Sequence, residues 1–176
     1  MEKNSPKTLA YGSAGSGSPT YLGIRMLEEM GGVSFLHIPY KGVGAAYQDL
    51  LGGRIKFLFP DVASVISHIR ADKLRALAVT HPTALLPGVP TLAQAGFPVD
   101  VFTSFSVVAP ARTPAPIVQR LAEEIARAMR SPAMAEKLET QALLPVFDTP
   151  AEFAASLKKE REGWAAFIRR NAIEAD

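Results

Sequence analysis

Short apolar runs alternate with helical patterns through the first two-thirds of this sequence, and that alternation narrows the fold more than any other feature. Leu9-Ala10-Tyr11 leads into a Gly/Ser-rich loop, after which Ser18-Pro19 supplies an N-cap and a first-turn proline. Leu22, Met26 and Met30 then recur at helical spacing, and Gly31-Gly32 stops that helix. Residues 33–38 read as a strand closed by Pro39, a short helix over 45–51 stops at Gly52-Gly53, and 55–59 read as a second strand. Asp61 is placed to cap a helix carrying Val62, Val65, Ile66 and Ile69. Residues 74–79 are nearly all apolar, the pattern of a strand covered on both faces. Thr91 opens a one-turn helix ending at Gly96, and 101–109 read as a long strand. The expected class is α/β, with helices on both faces of a largely parallel sheet.

The last third changes character. Thr113-Pro114 opens a helix with Ile117, Leu121, Ile125 and Met129 on one face, and Ser131-Pro132 opens another with Met134 and Leu138. Residues 143–147 read as a short strand. Thr149-Pro150-Ala151-Glu152 spells a capping box, and Phe153, Leu157, Trp164 and Ile168 line the helix behind it. Ten basic and ten acidic side chains make residues 106–176 neutral.

Composition sets the outer limits. A length of 176 residues suits one domain or a little more, and 48% hydrophobic residues supply a core. With 19 Lys/Arg against 17 Asp/Glu, the net charge of +2 points to no nucleic-acid partner. The absence of cysteine excludes disulfides, thiolate metal sites and cysteine nucleophiles. No run approaches the roughly 18 apolar residues of a membrane span. The opening Met1-Glu2-Lys3-Asn4-Ser5-Pro6 has no apolar stretch, so no signal peptide is expected there.

Chemistry concentrates in Tyr11-Gly12-Ser13-Ala14-Gly15-Ser16-Gly17-Ser18-Pro19-Thr20, between a strand and a helix. Small residues let backbone approach a ligand, and N–H groups at a helix start can face an anion. The hydroxyls of Ser13, Ser16, Ser18 and Thr20 add neutral donors; the alternative is a flexible connector. Gly12 and Gly17 have the separation of a nucleotide P-loop, but Ser18-Pro19 stands where Lys-Ser/Thr is required. A carboxylate therefore suits the loop better than a polyphosphate. Pro39-Tyr40-Lys41-Gly42-Val43-Gly44 ends another strand, where ligands of open α/β sheets gather, and Asp61 points to the same rim. Tyr40 offers a hydroxyl or a ring face and Lys41 a charge, against the plainer readings of a turn and an N-cap. His37, His68 and His81 lack metal-ligand spacing and read as structural, so neither a metal site nor a catalytic triad is expected.

Together these motifs resemble the receptors of tripartite tricarboxylate transporters, often called Bug proteins. The likeness is carried by residues 11–18, by His37-Ile38-Pro39-Tyr40-Lys41-Gly42 and by Leu74-Arg75-Ala76-Leu77-Ala78-Val79-Thr80. Leu86 to Gly96 looks like the family's LPxVPTxxEAG signature with Gln94 in place of Glu, and Ala109 to Pro114 is similar to its APxxTP segment. Lys56 and Asp72 are further departures, at positions where an acidic residue and Gly are common. The order is kept across essentially the whole chain.

The resemblance implies a type II periplasmic-binding-protein-like lobe with a mostly parallel sheet and flanking helices, plus a C-terminal helical segment of the other lobe. Residues 7–105 would be the complete second lobe, and 106–176 the hinge strand and return segment of a first lobe whose opening half precedes the position of Lys3. It implies a periplasmic, non-enzymatic receptor without cofactor, delivering a small carboxylate to membrane permease subunits. By position, Ser13, Ala14, Gly15, Ser16 and Ser18 would take the carboxylate, and Tyr40, Lys41, Gly42 and Asp61 would frame the rest. The apolar faces in 114–130 and 150–170 would lack a partner, so a homo-oligomer or domain-swapped dimer is expected. The competing readings are a degenerate, non-binding oligomerisation module and a serine enzyme using Ser13 or Ser18 with a histidine. A serine–histidine separation well beyond hydrogen-bond reach would end the last.

Overall fold

The computed structural model describes residues 7–174; the opening hexapeptide lies outside them. The chain divides into two compact units, one running through Thr103 and the other Ser104–Ile173.

The first unit begins with β1 (Ala10–Ser13), α1 (Pro19–Gly31), β2 (Leu36–Pro39), α2 (Val43–Leu51) and α3 (Val62–Arg70). Strands β1 and β2 pair in parallel, with Tyr11 opposite His37 and Ser13 opposite Pro39. Phe57 bridges Tyr11 from the other edge, also in parallel. Side chains alternate across β1. Tyr11 stacks on His37 and contacts the Phe35 and Phe57 rings, while Tyr21 of α1 packs on His37. On the opposite side of the strand, a Cβ on Gly12 would stand 2.9 Å from Ile55, 3.0 Å from Leu58 and 3.1 Å from Ala46 of α2. Each face of β1 thus carries its own helix, as the alternating pattern requires.

Helix α1 starts and stops on local chemistry. Ser18 Oγ accepts the Tyr21 N–H, Pro19 fills the first turn, and Gly32 ends the helix in the left-handed region at φ 59°. The buried residues of α1 are Leu22, Gly23, Ile24 and Glu28 rather than the expected Leu22–Met26–Met30 stripe, and Met30 is exposed. Glu28 is inside because its carboxylate has partners: Arg25, and the Phe35 N–H at 2.6 Å. That side-chain acceptor satisfies a Phe35 N–H that points away from β1, whose bonds go to Leu36 and Tyr40; β2 begins at Leu36 and not at the expected Val33.

Several expected strands are not strands. Residues 55–59 pair with β1 only as an isolated bridge at Phe57, and 74–79 pair only at Val79, with Thr91. Leu77 is 71% exposed, which overturns the expectation of a strand covered on both faces. Residues 101–109 and 143–147 form no strand, and Phe105, Val107, Val108, Leu144 and Val146 are exposed. An apolar run has strand propensity, but it becomes a strand only when a second backbone supplies the ladder. The expected one-turn helix at Thr91 is a turn closed by reciprocal bonds: Thr91 N–H to Gln94 Oε1 at 2.8 Å, and Gln94 N–H to Thr91 Oγ1 at 3.1 Å.

The second unit contains α4 (Ala115–Met129), α5 (Pro132–Thr140) and α6 (Pro150–Arg170). Helix α4 packs against both α5 and α6. Both halves of the capping box at Thr149 and Glu152 are formed. Phe167 is the buried residue of α6, edge-on to Trp164, while Leu157 is exposed.

Candidate functional site

The loop between β1 and α1 is built from positions only glycine occupies easily. Gly15 and Gly17 have φ of 106° and 85°, a region where a Cβ is strained. Around them the loop is cross-linked by its own side chains. Gly15 N–H donates to Ser13 Oγ at 3.1 Å, Ser18 Oγ donates to the Gly15 carbonyl at 2.7 Å, and Ala14 N–H donates to Thr20 Oγ1 at 3.2 Å. Ser18 Oγ and Thr20 Oγ1 stand 2.9 Å apart. This network replaces the flexible connector with a shaped turn at a helix N-terminus, the end that favours negative charge.

The structure brings the second expected segment to the first. Tyr40 N–H donates to the Ser13 carbonyl at 3.0 Å, setting Tyr40, Lys41 and Gly42 directly beyond β1. The Tyr40 hydroxyl donates to Asp49 Oδ2 at 2.8 Å, while Arg54 holds Oδ1 at 2.6 Å. Burial, then the Asp49 carboxylate, raises the Tyr40 pKa; the bonds from Tyr40 and Arg54 hold Asp49 below the usual aspartate range. Lys41 is exposed.

Asp61 stands at the N-cap of α3, but its side chain makes no cap hydrogen bond. Instead Ser64 Oγ donates to the Asp61 carbonyl at 2.6 Å and lies 2.6 Å from the Tyr47 hydroxyl. Burial is the main cause raising the Tyr47 pKa; the Ser64 bond lowers it and the Asp61 charge raises it. Asp61 is thus tied to α2 and α3, and the expected side-chain cap is corrected to a backbone one.

His37 is the residue that sequence reasoning undervalued. Its Nε2 lies 2.7 Å from Ser13 Oγ, so the separation expected to end a serine–histidine reading is absent. Burial decides the chemistry instead. Ser13 is 0% exposed and its Oγ also takes the Gly15 N–H, so the hydroxyl is packed into the loop and not presented at the surface as a nucleophile. Alternation along β1 places Tyr11 and Ser13 on one face, but only the β1–β2 register shows that His37 joins them. On that face lies a hollow of about 290 Å³ whose lining includes Lys7, Tyr21, Arg25, Glu28 and His37. Burial, with Glu28 next, pushes the Tyr11 hydroxyl pKa strongly upward, so the ring is neutral packing. Among the described residues no cluster of three metal-ligating side chains occurs, and no helix is long and apolar enough to cross a membrane.

Residues 1–173 match the family described as the tripartite tricarboxylate transporter family receptor. The chain belongs to that family. It is 35% identical to the UPF0065 protein in the tcbD-tcbE intergenic region of Pseudomonas sp. strain P51, over 99% of this chain and 53% of the relative. It is 34% identical to Protein BugT of Bordetella pertussis, over 98% of this chain and 54% of the relative. The chain therefore spans about half the length of these curated relatives. Among solved structures, R. palustris Rpa4515 with adipate matches at TM-score 0.82 and 28% identity, covering 98% of this chain and 58% of that one. MatC from Rhodopseudomonas palustris with bound malate matches at TM-score 0.70 and 27% identity, covering 90% and 56%. A tripartite tricarboxylate receptor is a solute-binding protein, and its α/β lobe is the fold seen here.

Proposed function

We propose that this chain binds a small carboxylate at the Gly/Ser loop and, as a periplasmic receptor, serves the permease subunits of a tripartite tricarboxylate-type transporter. The observation that carries this reading is the loop itself: two left-handed glycines and a closed hydroxyl network at the start of α1. Adipate and malate in the two structural relatives supply the ligand class. Ala14, Gly15, Ser16 and Ser18 form the surface that meets the anion, which would draw on donors now engaged within the loop, Ala14 N–H on Thr20, Gly15 N–H on Ser13 and Ser18 Oγ on the Gly15 carbonyl, and Ser13 holds the loop from beneath. Tyr40, Lys41, Gly42 and Asp61 frame the remainder of the solute. In this reading residues 7–105 form one lobe, residues 106–176 contribute to the other, and binding uses no cofactor or metal.

A thermal-shift panel of adipate, malate and benzoate tests the reading. A ligand at about a hundred times its Kd stabilises by roughly 2.7 kcal/mol, an upward shift of several degrees in Tm. Gly15→Val, which puts a branched side chain at φ 106°, should remove the shift for the ligand that produces it. No shift across the panel would count against carboxylate binding.

A second reading, a non-binding oligomerisation module, is favoured by one observation. Ile117, Leu121 and Ile125 on one face of α4 are 51%, 49% and 39% exposed. Sedimentation over a concentration series separates it from a monomeric receptor.

A further inference from the structure

Helix α2 carries two side chains that tie down the rim around the Gly/Ser loop. Its seat is fixed by packing: Ala46 is 0% exposed, and its Cβ lies 3.1 Å from where a Cβ on Gly12 of β1 would stand. From that seat Asp49 reaches the end of β2. Its Oδ2 accepts from the Tyr40 hydroxyl at 2.8 Å, its Oδ1 from Arg54 at 2.6 Å, and its carbonyl from the Arg54 N–H at 2.8 Å. Tyr40 N–H also donates to the Ser13 carbonyl, so residue 40 is held by both backbone and side chain. Tyr47 reaches the start of α3. The Asp61 carbonyl can only accept, so it takes the Ser64 hydroxyl hydrogen at 2.6 Å, and the Tyr47 hydroxyl donates to Ser64 Oγ, also at 2.6 Å. Positions 47 and 49 stand about 200° apart around the helix, so one short helix reaches in two directions. Both parts of the rim, Tyr40–Gly42 and Asp61, are thereby set on a common frame.

We infer that Tyr47 and Asp49 are positioning residues that set the length of solute the site accepts, an inference that rests on the receptor reading above and adds selectivity to it. In that reading the Gly/Ser loop takes one carboxylate and the rim meets the remainder. The distance from loop to rim then decides which chain length fits. Each residue acts through another, Tyr47 through Ser64 and Asp49 through Tyr40. A rim fixed on α2 favours one length and leaves the far end of any other poorly paired, whereas a rim free to shift admits neighbouring lengths alike. Arg54 balances the Asp49 charge, so this brace bears on length and adds no net charge at the rim.

Calorimetric titration of the whole chain with propionate and with succinate, glutarate, adipate and pimelate tests this. Propionate offers one carboxylate and no far end, and the four dicarboxylates differ only in length. The wild type should prefer one length over its neighbours by about tenfold, and Tyr47→Phe and Asp49→Ala should each cut that preference by about three- to tenfold, the range a single hydrogen bond spans. Propionate should lose less than the preferred dicarboxylate. Ser64→Ala should match Tyr47→Phe, and the double variant should be no worse than either, because the two act in series. Asp49→Asn, which keeps an acceptor for Tyr40, should restore most of the selectivity. A preference untouched in Tyr47→Phe and Asp49→Ala, an equal loss for propionate and every dicarboxylate, or additive losses in the double variant would each overturn the inference. A wild type that binds all four lengths alike would overturn it too, with the receptor reading left standing. No binding of any probe would sink the receptor reading and the inference with it.

Discussion

Two helical glycines in the first unit have opposite surroundings, and they separate backbone propensity from packing. Alanine in a helix is favoured over glycine by about 1 kcal/mol. Gly44 in α2 has nothing within 4 Å of an added Cβ, so Gly44→Ala should realise most of that gain. A Cβ on Gly23 in α1 would stand 2.8, 2.9 and 3.1 Å from three atoms of the Phe59 ring. A ring cannot yield as a flexible chain end does, and overpacking of this kind costs roughly 1–3 kcal/mol. The penalty outweighs the propensity, so Gly23→Ala should destabilise. Urea denaturation of the two variants should show midpoints moving in opposite directions; a shift of the same sign would reject the packing argument. Gly23 is thus retained for the Phe59 ring, which helps seat α1 beneath the candidate loop.

At the scale of elements, the structure is firmest where a few neighbouring residues complete a hydrogen-bond pattern. The start of α6 is the clearest case: Thr149 Oγ1 accepts the Glu152 N–H at 3.2 Å, and Glu152 Oε2 accepts the Thr149 N–H at 2.8 Å. Thr149→Ala should cost about 1 kcal/mol and fray the first turn, visible as faster amide exchange there. The bonds from Thr149 hold the Glu152 carboxyl below its usual range. A depressed carboxylate stabilises the folded state above its unfolded pKa and loses that effect as pH falls through the folded value. The wild-type advantage over Glu152→Gln should therefore shrink on acidification through the glutamate range and be full at neutral pH.

Such local signals are why β1, α1 and the loop between them could be read directly. Ser18-Pro19 and Gly32 mark the ends of α1 with residues in immediate sequence. Residues 74–79 and 101–109 could not be read that way, because a strand depends on a partner backbone that local sequence does not name. The Ser13–His37 bond failed to show for the same reason. It exists through the register of two strands more than twenty residues apart, as their pairing in the structure shows. Glu28 misled in the other direction, since a carboxylate on the inner side of a helix breaks the apolar stripe unless its partners are known.

For the whole molecule, the open question is what the exposed apolar surface of the second unit does. Full burial of a large aliphatic side chain yields roughly 1.5–3 kcal/mol. Ile117, Leu121 and Ile125 are about half exposed, so covering all three yields roughly 3 kcal/mol. A symmetric dimer covers this face on both chains, roughly 6 kcal/mol, which only just passes the lower end of the estimated 4–15 kcal/mol that association costs in lost freedom, so the face of α4 gives at most weak pairing by itself. Phe105, Val107, Val108, Leu144, Val146 and Leu157 of the same unit are also exposed, and an interface that covers them as well widens that margin. The expected outcome is a reversible self-association that appears only as concentration rises. Leu121→Glu should weaken it at least tenfold, since about 1.4 kcal/mol suffices for that factor. The helix content of the variant should not change, because Leu121 already meets water in the single chain. Sedimentation equilibrium of both proteins reads the shift, and far-ultraviolet dichroism checks the fold. A wild-type mass that stays monomeric through the highest concentration would leave the exposed face without a homotypic role and remove the oligomerisation reading.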